Sequence, residues 1–423
     1  MSSRIVPFCQ YYSRQTGYRA NAYPLRAPNS VFLPAPRRGR GGEGVYNRTM
    51  VDFIYVADEA SLRGMLEDLR GHERLSVDLE SDSFHHYQDR IALLQLGSAE
   101  KTYIIDPFAV DVSALTPFFK DKGVEKVFHD ADYDGRMILT ATGVKPAPVF
   151  DTMVAARMLG KTKFGLADLL WEYFGVELDK ALQREDWSRR PLGEEMLRYA
   201  ARDVAYLLSL RDRLAEELEE AGRLEWAREE FADVVEGLEP MPPKKTDLRR
   251  VKGARDLEGR QLSVLQALLE WRDERARRKD LPPFKVVGTE RLLRLATEMP
   301  RSRRRLESCG ALSPRQLAMF GEEILRAIEE GAGKPPSDWP RFPAPERNVR
   351  DMAAEKLLRR FKAARDRRAA ELGLDPGFLL PNAALKELAR LKPRELADME
   401  RSGLLKGWRL KVMGEALAEC LAG

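Results

Sequence analysis

Four carboxylates stand in an order that chemistry can use: Asp78 and Glu80 in LSVDLES, Asp134 in HDADYDGRM and Asp203 in RYAARD, with Tyr199 four residues before the last. Asp78 and Glu80 are i, i+2 on the apolar run 75–79, so a strand projects both from one face. Tyr199 and Asp203 are i, i+4 within 194–218, where the apolar spacing is helical, so they share one helix face. Acidic oxygens gathered from separate elements are what hard divalent cations need. Two such ions about 4 Å apart clamp the attacking and leaving oxygens of a phosphodiester. The residues point to metal-dependent phosphodiester hydrolysis.

Elements able to position them follow from the pattern. Strands are predicted at 53–56, 75–79, 91–97, 101–105 and 124–129, and a helix over 58–70 is opened by the acidic cap Asp58. Helices dominate from Tyr133 onward, which predicts a mixed sheet flanked by helices. The stretch Glu239-Pro-Met-Pro-Pro-Lys-Lys reads as a linker. Beyond it the chain is helical and repeats itself at an offset of 93 residues. Arg272-Asp273 falls on Arg365-Asp366, Leu292 and Leu295 on Leu385 and Leu388, Pro300-Arg301 on Pro393-Arg394, and Gly321-Glu322 on Gly414-Glu415. This is a duplicated helical module, with the proline-bearing segment 331–348 as its spacer. The predicted series is a basic leader over 1–49, a catalytic domain over 50–238, and two helical modules over 256–332 and 349–423.

The 423 residues exceed one small core. The net charge is only +4 although 33% of residues are charged, so polyanion binding must rest on local patches. No run approaches 18 apolar residues, which argues against a membrane-spanning helix. Cys9, Cys309 and Cys420 form no CxxC pair, and His72, His85, His86 and His129 form no HExxH pair, so neither a disulfide framework nor zinc is expected. A reduced, cytoplasmic protein is the economical reading. Residues 1–49 hold eight arginines against one acid, Glu43. Such a leader is a targeting peptide, a flexible basic arm, or the product of a start assigned ahead of Met50. The lack of an amphipathic helix favours the last two and predicts disorder.

The V-D-x-E strand, the H-x-A-x-x-D element at 129–134 and the Y-x-x-x-D helix together resemble the three motifs of the DEDDy exonucleases. Phe150-Asp151-Thr152, Gly165-Leu166-Ala167-Asp168-Leu169-Leu170, and the series Leu178, Asp179, Lys180, Gln183, Asp186, Trp187, Arg190, Pro191, Leu192 resemble the ribonuclease D family specifically. The duplicated module is similar to the HRDC domain (helicase and RNase D C-terminal). The resemblance implies an α/β ribonuclease-H-like exonuclease domain followed by two all-α HRDC helical bundles. It also implies 3′→5′ hydrolysis of RNA to nucleoside 5′-monophosphates with two divalent cations, Mg²⁺ or Mn²⁺. Asp78 would bridge the ions, Glu80 and Asp203 would complete the site of the water-activating one, and Asp134 would hold the other. Tyr199 would orient the attacking water, and Lys180 and His129 would lie against the substrate. The pattern is not met at Ser81 and Met137, where some eukaryotic relatives carry a histidine and a tryptophan near the terminal nucleotide.

Duller readings stand beside these. Asp132 is the alternative to Asp134, Asp151 reads as the cap of a helix starting at Thr152 rather than a ligand, Tyr199 could be core, and His129 could be structural. The second module opens with eight basic residues against three acidic ones over 350–368, including Arg359 and Arg360, and the first carries Arg272, Arg275, Arg277 and Arg278. Such runs follow phosphates, or else form a solvated helix face. The partner expected is RNA, with tRNA precursors as the structured substrate and 3′ maturation as the role. No membrane and no nucleotide cofactor are expected, since Gly331-Ala-Gly-Lys-Pro lacks phosphate-loop spacing. The rival readings are a DNA 3′→5′ exonuclease of a repair pathway and a catalytically silent RNA-binding scaffold.

Overall fold

A computed structural model describes residues 51–178, 181–242, 244, 247–342 and 351–422. The leader 1–49 and Lys180 lie outside the described residues. The chain divides into two compact units. Of the described residues, one unit holds those over 51–80, Ile91–Pro240 and 351–422, and the other holds Ser81–Arg90 and those over 241–342.

In the first unit six strands form one sheet: β1 (Ile54–Val56), β2 (Arg74–Ser81), β3 (Ile91–Gly97), β4 (Thr102–Ile105), β5 (Glu125–Phe128) and β6 (Val149–Asp151), in the order β1-β4-β3-β2-β5-β6. β1 pairs parallel to β4 and β3 antiparallel to β4, while β2 and β6 each run parallel to β5. The sheet is mixed, as the sequence predicts. β3 and β4 are mostly apolar, interrupted by Gln95 and Thr102, because every residue in them is buried. Eight helices accompany the sheet among the described residues: α1 (Glu59–Asp68), α2 (Thr116–Lys120), α3 (Ala131–Thr142), α4 (Thr152–Met158), α5 (Leu166–Phe174), α6 (Glu194–Ala205), α7 (Leu207–Glu220) and α8 (Leu224–Glu236). Asp58 caps α1 through the backbone N–H groups of Ala60 and Ser61. The helix predicted over 194–218 is two helices, broken at Tyr206. Their apolar spacing runs on across the break, with Val204, Leu207, Leu210 and Leu214 all buried, so periodicity alone does not reveal it.

The repeat offset of 93 is reproduced in the helices. α9 (Gly259–Lys279), α10 (Pro283–Val286), α11 (Thr289–Glu298), α12 (Arg303–Ser308) and α13 (Pro314–Gly333) correspond start for start with α14 (Met352–Leu372), α15 (Pro376–Leu379), α16 (Asn382–Leu391), α17 (Leu396–Arg401) and α18 (Gly407–Glu419). One buried arginine recurs at equivalent places. Arg272 donates to Val287 O and Thr289 Oγ1 at 3.0 Å each, and Arg365 donates to Leu380 O at 3.0 Å and Asn382 Oδ1 at 2.9 Å. Each guanidinium ties the long first helix of its module to the start of the third. Both arginines, 3% and 6% exposed, are therefore removed from the basic runs that could meet phosphate.

The second module shares an apolar core with α4, α7 and α8 of the first unit. Trp226 stacks on Trp408 with ring centroids 5.5 Å apart, and Arg409 makes two bonds to the Glu230 carboxylate, at 2.6 and 2.8 Å. The first module builds its own core in the second unit, and Tyr87 of the loop after β2 is part of it.

Candidate active site

β2 lies inside the sheet between β3 and β5. Its alternation sends Val77 and Leu79 into the core and leaves Asp78 and Glu80 half-buried on the other face. α6 packs on β3 and β4 and turns Tyr199 and Asp203 to one side. One carboxylate oxygen from each of Asp78, Glu80 and Asp203 lies within 4.8 Å of the others. Asp134, in the first turn of α3, stands outside this group of three but faces its field: it is buried, and the Asp78 and Glu80 charges both interact with it. Asp132 is exposed and pairs with Arg136 at 3.1 Å.

The electrostatics are those of a site built for positive charge. Burial raises the Asp78 carboxyl to about 7. Burial, then the charges of Asp78, Asp203 and Asp134, push Glu80 well above the carboxylate range. Asp203 rises by burial and by Asp78, and Asp134 by burial, Asp78, Asp130 and Asp151. Mutual repulsion at this spacing is relieved by a cation, and the donors are all carboxylate oxygens. That set fits Mg²⁺ or Mn²⁺ and does not suit a soft ion. Burial and then the Asp203, Glu80 and Asp78 charges hold the Tyr199 phenol above its ordinary value, so it keeps its proton at neutral pH.

Asp151 is a cap rather than a ligand. Its carboxylate is 1% exposed and accepts four backbone N–H groups: Met153 (2.8 Å) and Val154 (3.1 Å) at the start of α4, and Asp130 (3.2 Å) and Ala131 (2.8 Å) at the start of α3. The side chain of Asp130, the residue preceding α3, makes no capping bond of its own, and that residue takes a left-handed backbone with φ 67°. Asp151 thus fixes the helix that carries Asp134. His129 Nδ1 lies 2.9 Å from Thr152 Oγ1, whose single proton goes to Phe128 O at 3.0 Å. The histidine must therefore donate from Nδ1, which leaves Nε2 as an acceptor. Burial lowers its pKa to about 4, so the ring is neutral.

Two further contributors belong to the series that resembles the family, but no periodicity assigned them a role at the site. The Gln183 side chain hydrogen-bonds the Tyr199 phenol, and the buried Trp187 ring lies 5.8 Å from the Tyr199 ring. The segment holding them is pinned by Arg190, which donates to Asp106 at 2.6 and 2.8 Å, to Ala92 O at 2.7 Å and to Trp187 O at 2.7 Å. Met137 is 2% exposed and belongs to the core. Arg359 and Arg360 sit on α14, the first exposed and the second partly so. Among the described residues, no helix is long and apolar enough to cross a membrane.

Residues 53–219 match a family described as 3′-5′ exonuclease, and residues 261–328 and 354–421 each match the HRDC domain. A ribonuclease D of Pseudomonas paraeruginosa is 32% identical over 383 residues, covering 88% of this chain and 98% of its own. Among solved structures, Escherichia coli RNase D, described as an exoribonuclease involved in structured RNA processing, superposes with a TM-score of 0.68 at 29% identity, over 88% of this chain and 99% of that one. The catalytic core of RRP6 from Trypanosoma brucei gives a TM-score of 0.60 at 27% identity, over 68% of this chain and 81% of that one.

Proposed function

The chain belongs to the ribonuclease D family and is a 3′→5′ exoribonuclease; from that premise we propose that Asp78, Glu80, Asp134, Tyr199 and Asp203 are its working residues. The observation that carries this is the convergence of three carboxylates from β2 and α6 within 4.8 Å, under the Tyr199 phenol. Asp78, Glu80 and Asp203 would hold one divalent cation, and Asp134 with Asp78 a second, both Mg²⁺ or Mn²⁺. Bound there, such ions acidify water and neutralise charge building on the phosphate oxygens. The protein's own part is placement. Tyr199, protonated and steadied by Gln183, orients the attacking water through a hydrogen bond, which is worth several kcal/mol of a barrier, on the order of that from other fixed geometries. His129 offers Nε2 to a substrate hydroxyl, and Lys180 would contact the substrate, as its match to the family pattern implies.

Residues 50–238 act as the catalytic domain, and the modules over 256–332 and 349–423 hold structured RNA while its 3′ tail is trimmed. Arg359 and Arg360 would meet the phosphates. The substrate is a tRNA precursor, and the work is cytoplasmic. The test is hydrolysis of a 5′-labelled, 3′-tailed tRNA precursor and a matched DNA with Mg²⁺ or Mn²⁺, beside Asp78→Asn. A ladder shortening from the RNA 3′ end, lost in the variant and in chelator, is expected. Equal or faster trimming of DNA would move the enzyme to the repair reading. Absence of trimming with RNA binding intact would leave only the scaffold.

A further inference from the structure

The strand that carries Asp78 and Glu80 ends at Ser81, and the chain then enters a loop, Ser81–Arg90, that belongs to the second compact unit. The loop is closed at its neck. Asp82, fully buried, accepts from the Arg90 backbone N–H and from Arg90 Nε, both at 2.9 Å, and its own N–H donates to Arg90 O at 3.2 Å. That clasp begins two residues beyond Glu80. The tip is held by the first helical module. Tyr87 is 6% exposed within the module's apolar core, and its hydroxyl donates to Asp273 Oδ2 at 2.8 Å, with Lys244 O at 2.9 Å. Its backbone N–H donates to Asp280 Oδ1 at 3.1 Å, His86 Nδ1 lies 2.7 Å from Asp280 Oδ2, and Lys244 pairs with Asp89 at 2.5 Å.

We propose that Tyr87 is a positioning residue for hydrolysis: through its bond to Asp273, the first helical module holds the loop that sets the register of Glu80. Several features carry this reading. A surface loop ordinarily satisfies its groups locally or with water. Here an aromatic side chain and three polar contacts are committed to a helical module distant in sequence, and the committed residue lies seven positions from a metal-facing carboxylate. A neck closed by a buried carboxylate transmits displacement of the tip to the strand end, because the clasped loop has few soft dihedrals left between them. Catalytic geometry tolerates little such displacement, since shifts on the order of 1 Å cost about a hundredfold in rate.

The proposal rests on Glu80 being a working carboxylate, so its test reads cation binding as well as turnover. Tyr87→Phe keeps the ring and removes only the hydroxyl; Asp273→Ala removes the other end of the bond. Full-length wild type, both single variants and the double variant are assayed on a ribodinucleotide and on long RNA, and Mn²⁺ affinity is measured by calorimetry. Each single variant is expected to lose three- to tenfold in kcat with KM unchanged and to bind Mn²⁺ several-fold more weakly, and the double variant is expected to lose no more than either. Unchanged dinucleotide kcat and unchanged Mn²⁺ affinity, with only the KM of long RNA raised, would overturn the proposal and leave Tyr87 as a prop of the RNA-binding module. Losses that multiply in the double variant would overturn it too. A wild type that binds Mn²⁺ but cleaves no RNA would instead defeat the exoribonuclease assignment of the site, and the Mn²⁺ affinities would still decide the role of Tyr87.

Discussion

At Asp78 the chain keeps a carboxylate among three others, and the consequence is a pH dependence whose sign can be worked out. In the metal-free protein burial raises Asp78 to about 7, and burial with neighbouring charge raises Glu80, Asp134 and Asp203. These folded values lie above those of the unfolded chain, near 4. The folded protein therefore holds protons that the unfolded chain has released. Stability from these groups is full below about pH 4 and falls as pH rises through the folded values, that of Asp78 being about 7. Metal-free protein should lose Tm between pH 5 and pH 8 on this account, and added Mg²⁺ should restore more at pH 8 than at pH 5. Asp78→Asn removes one repelling charge. Its metal-free Tm at pH 8 should rise by a few °C, about 1 kcal/mol for a chain of this size, and its response to Mg²⁺ should vanish. Differential scanning fluorimetry with and without chelator measures both. A variant less stable than wild type in chelator would show that the cluster is not under repulsion.

Among the elements, α3 and α4 share one fastening. Asp151 Oδ1 takes the N–H groups of Asp130, Met153 and Val154, and Oδ2 takes that of Ala131. Asp151→Asn keeps one oxygen and turns an amide N–H₂ toward the remaining donor. Such a substitution costs about 1–3 kcal/mol, the scale for a buried donor left unsatisfied. It should also loosen Asp134, so chemical denaturation and Mn²⁺ affinity should weaken together. Loss of stability with Mn²⁺ affinity intact would separate the cap from the site. The FDT triplet was legible as a helix cap because an aspartate before an apolar helix is a local signal. Its second task, capping α3 at the end of the neighbouring strand β5, has no local trace. The same limit explains the other gaps. β6 is three residues long behind Pro148, too short to show a period. Gln183 and Trp187 reach Tyr199 from an irregular segment. The V-D-x-E and Y-x-x-x-D pairs were legible because strand and helix geometry each force their two side chains onto one face. The buried partners of Arg272 and Arg365 were not, since a basic run looks alike whether it faces solvent or a carbonyl.

For the whole molecule, the charges of the C-terminal module divide by use. On α18, Arg409 and Lys411 bind Glu230 and Glu229 of α8, and Lys406, just before α18, binds Asp233 at 2.7 Å, so these cations are spent on docking the module. On α14, Arg365 is buried and Arg368 pairs with Glu371 at 2.8 Å. Arg359 and Arg360 lie one turn and more before these, near Lys356 and Lys362 on the same helix, and two phosphates within their reach would release about 0.7 counterion each if single-stranded and about 0.9 each if paired. The double variant Arg359→Ala/Arg360→Ala should therefore bind tailed tRNA precursor more weakly at low salt, and the slope of log K against log salt should shrink by about 1.5. Its kcat on a ribodinucleotide should match wild type, because neither residue adjoins the carboxylates of β2 and α6. Filter binding between about 50 and 200 mM salt reads the slope directly, over the range in which phosphate contacts dominate. An unchanged slope would move RNA contact off α14, whereas a fall in dinucleotide turnover would mean that α14 acts on the catalytic unit beneath it rather than on RNA.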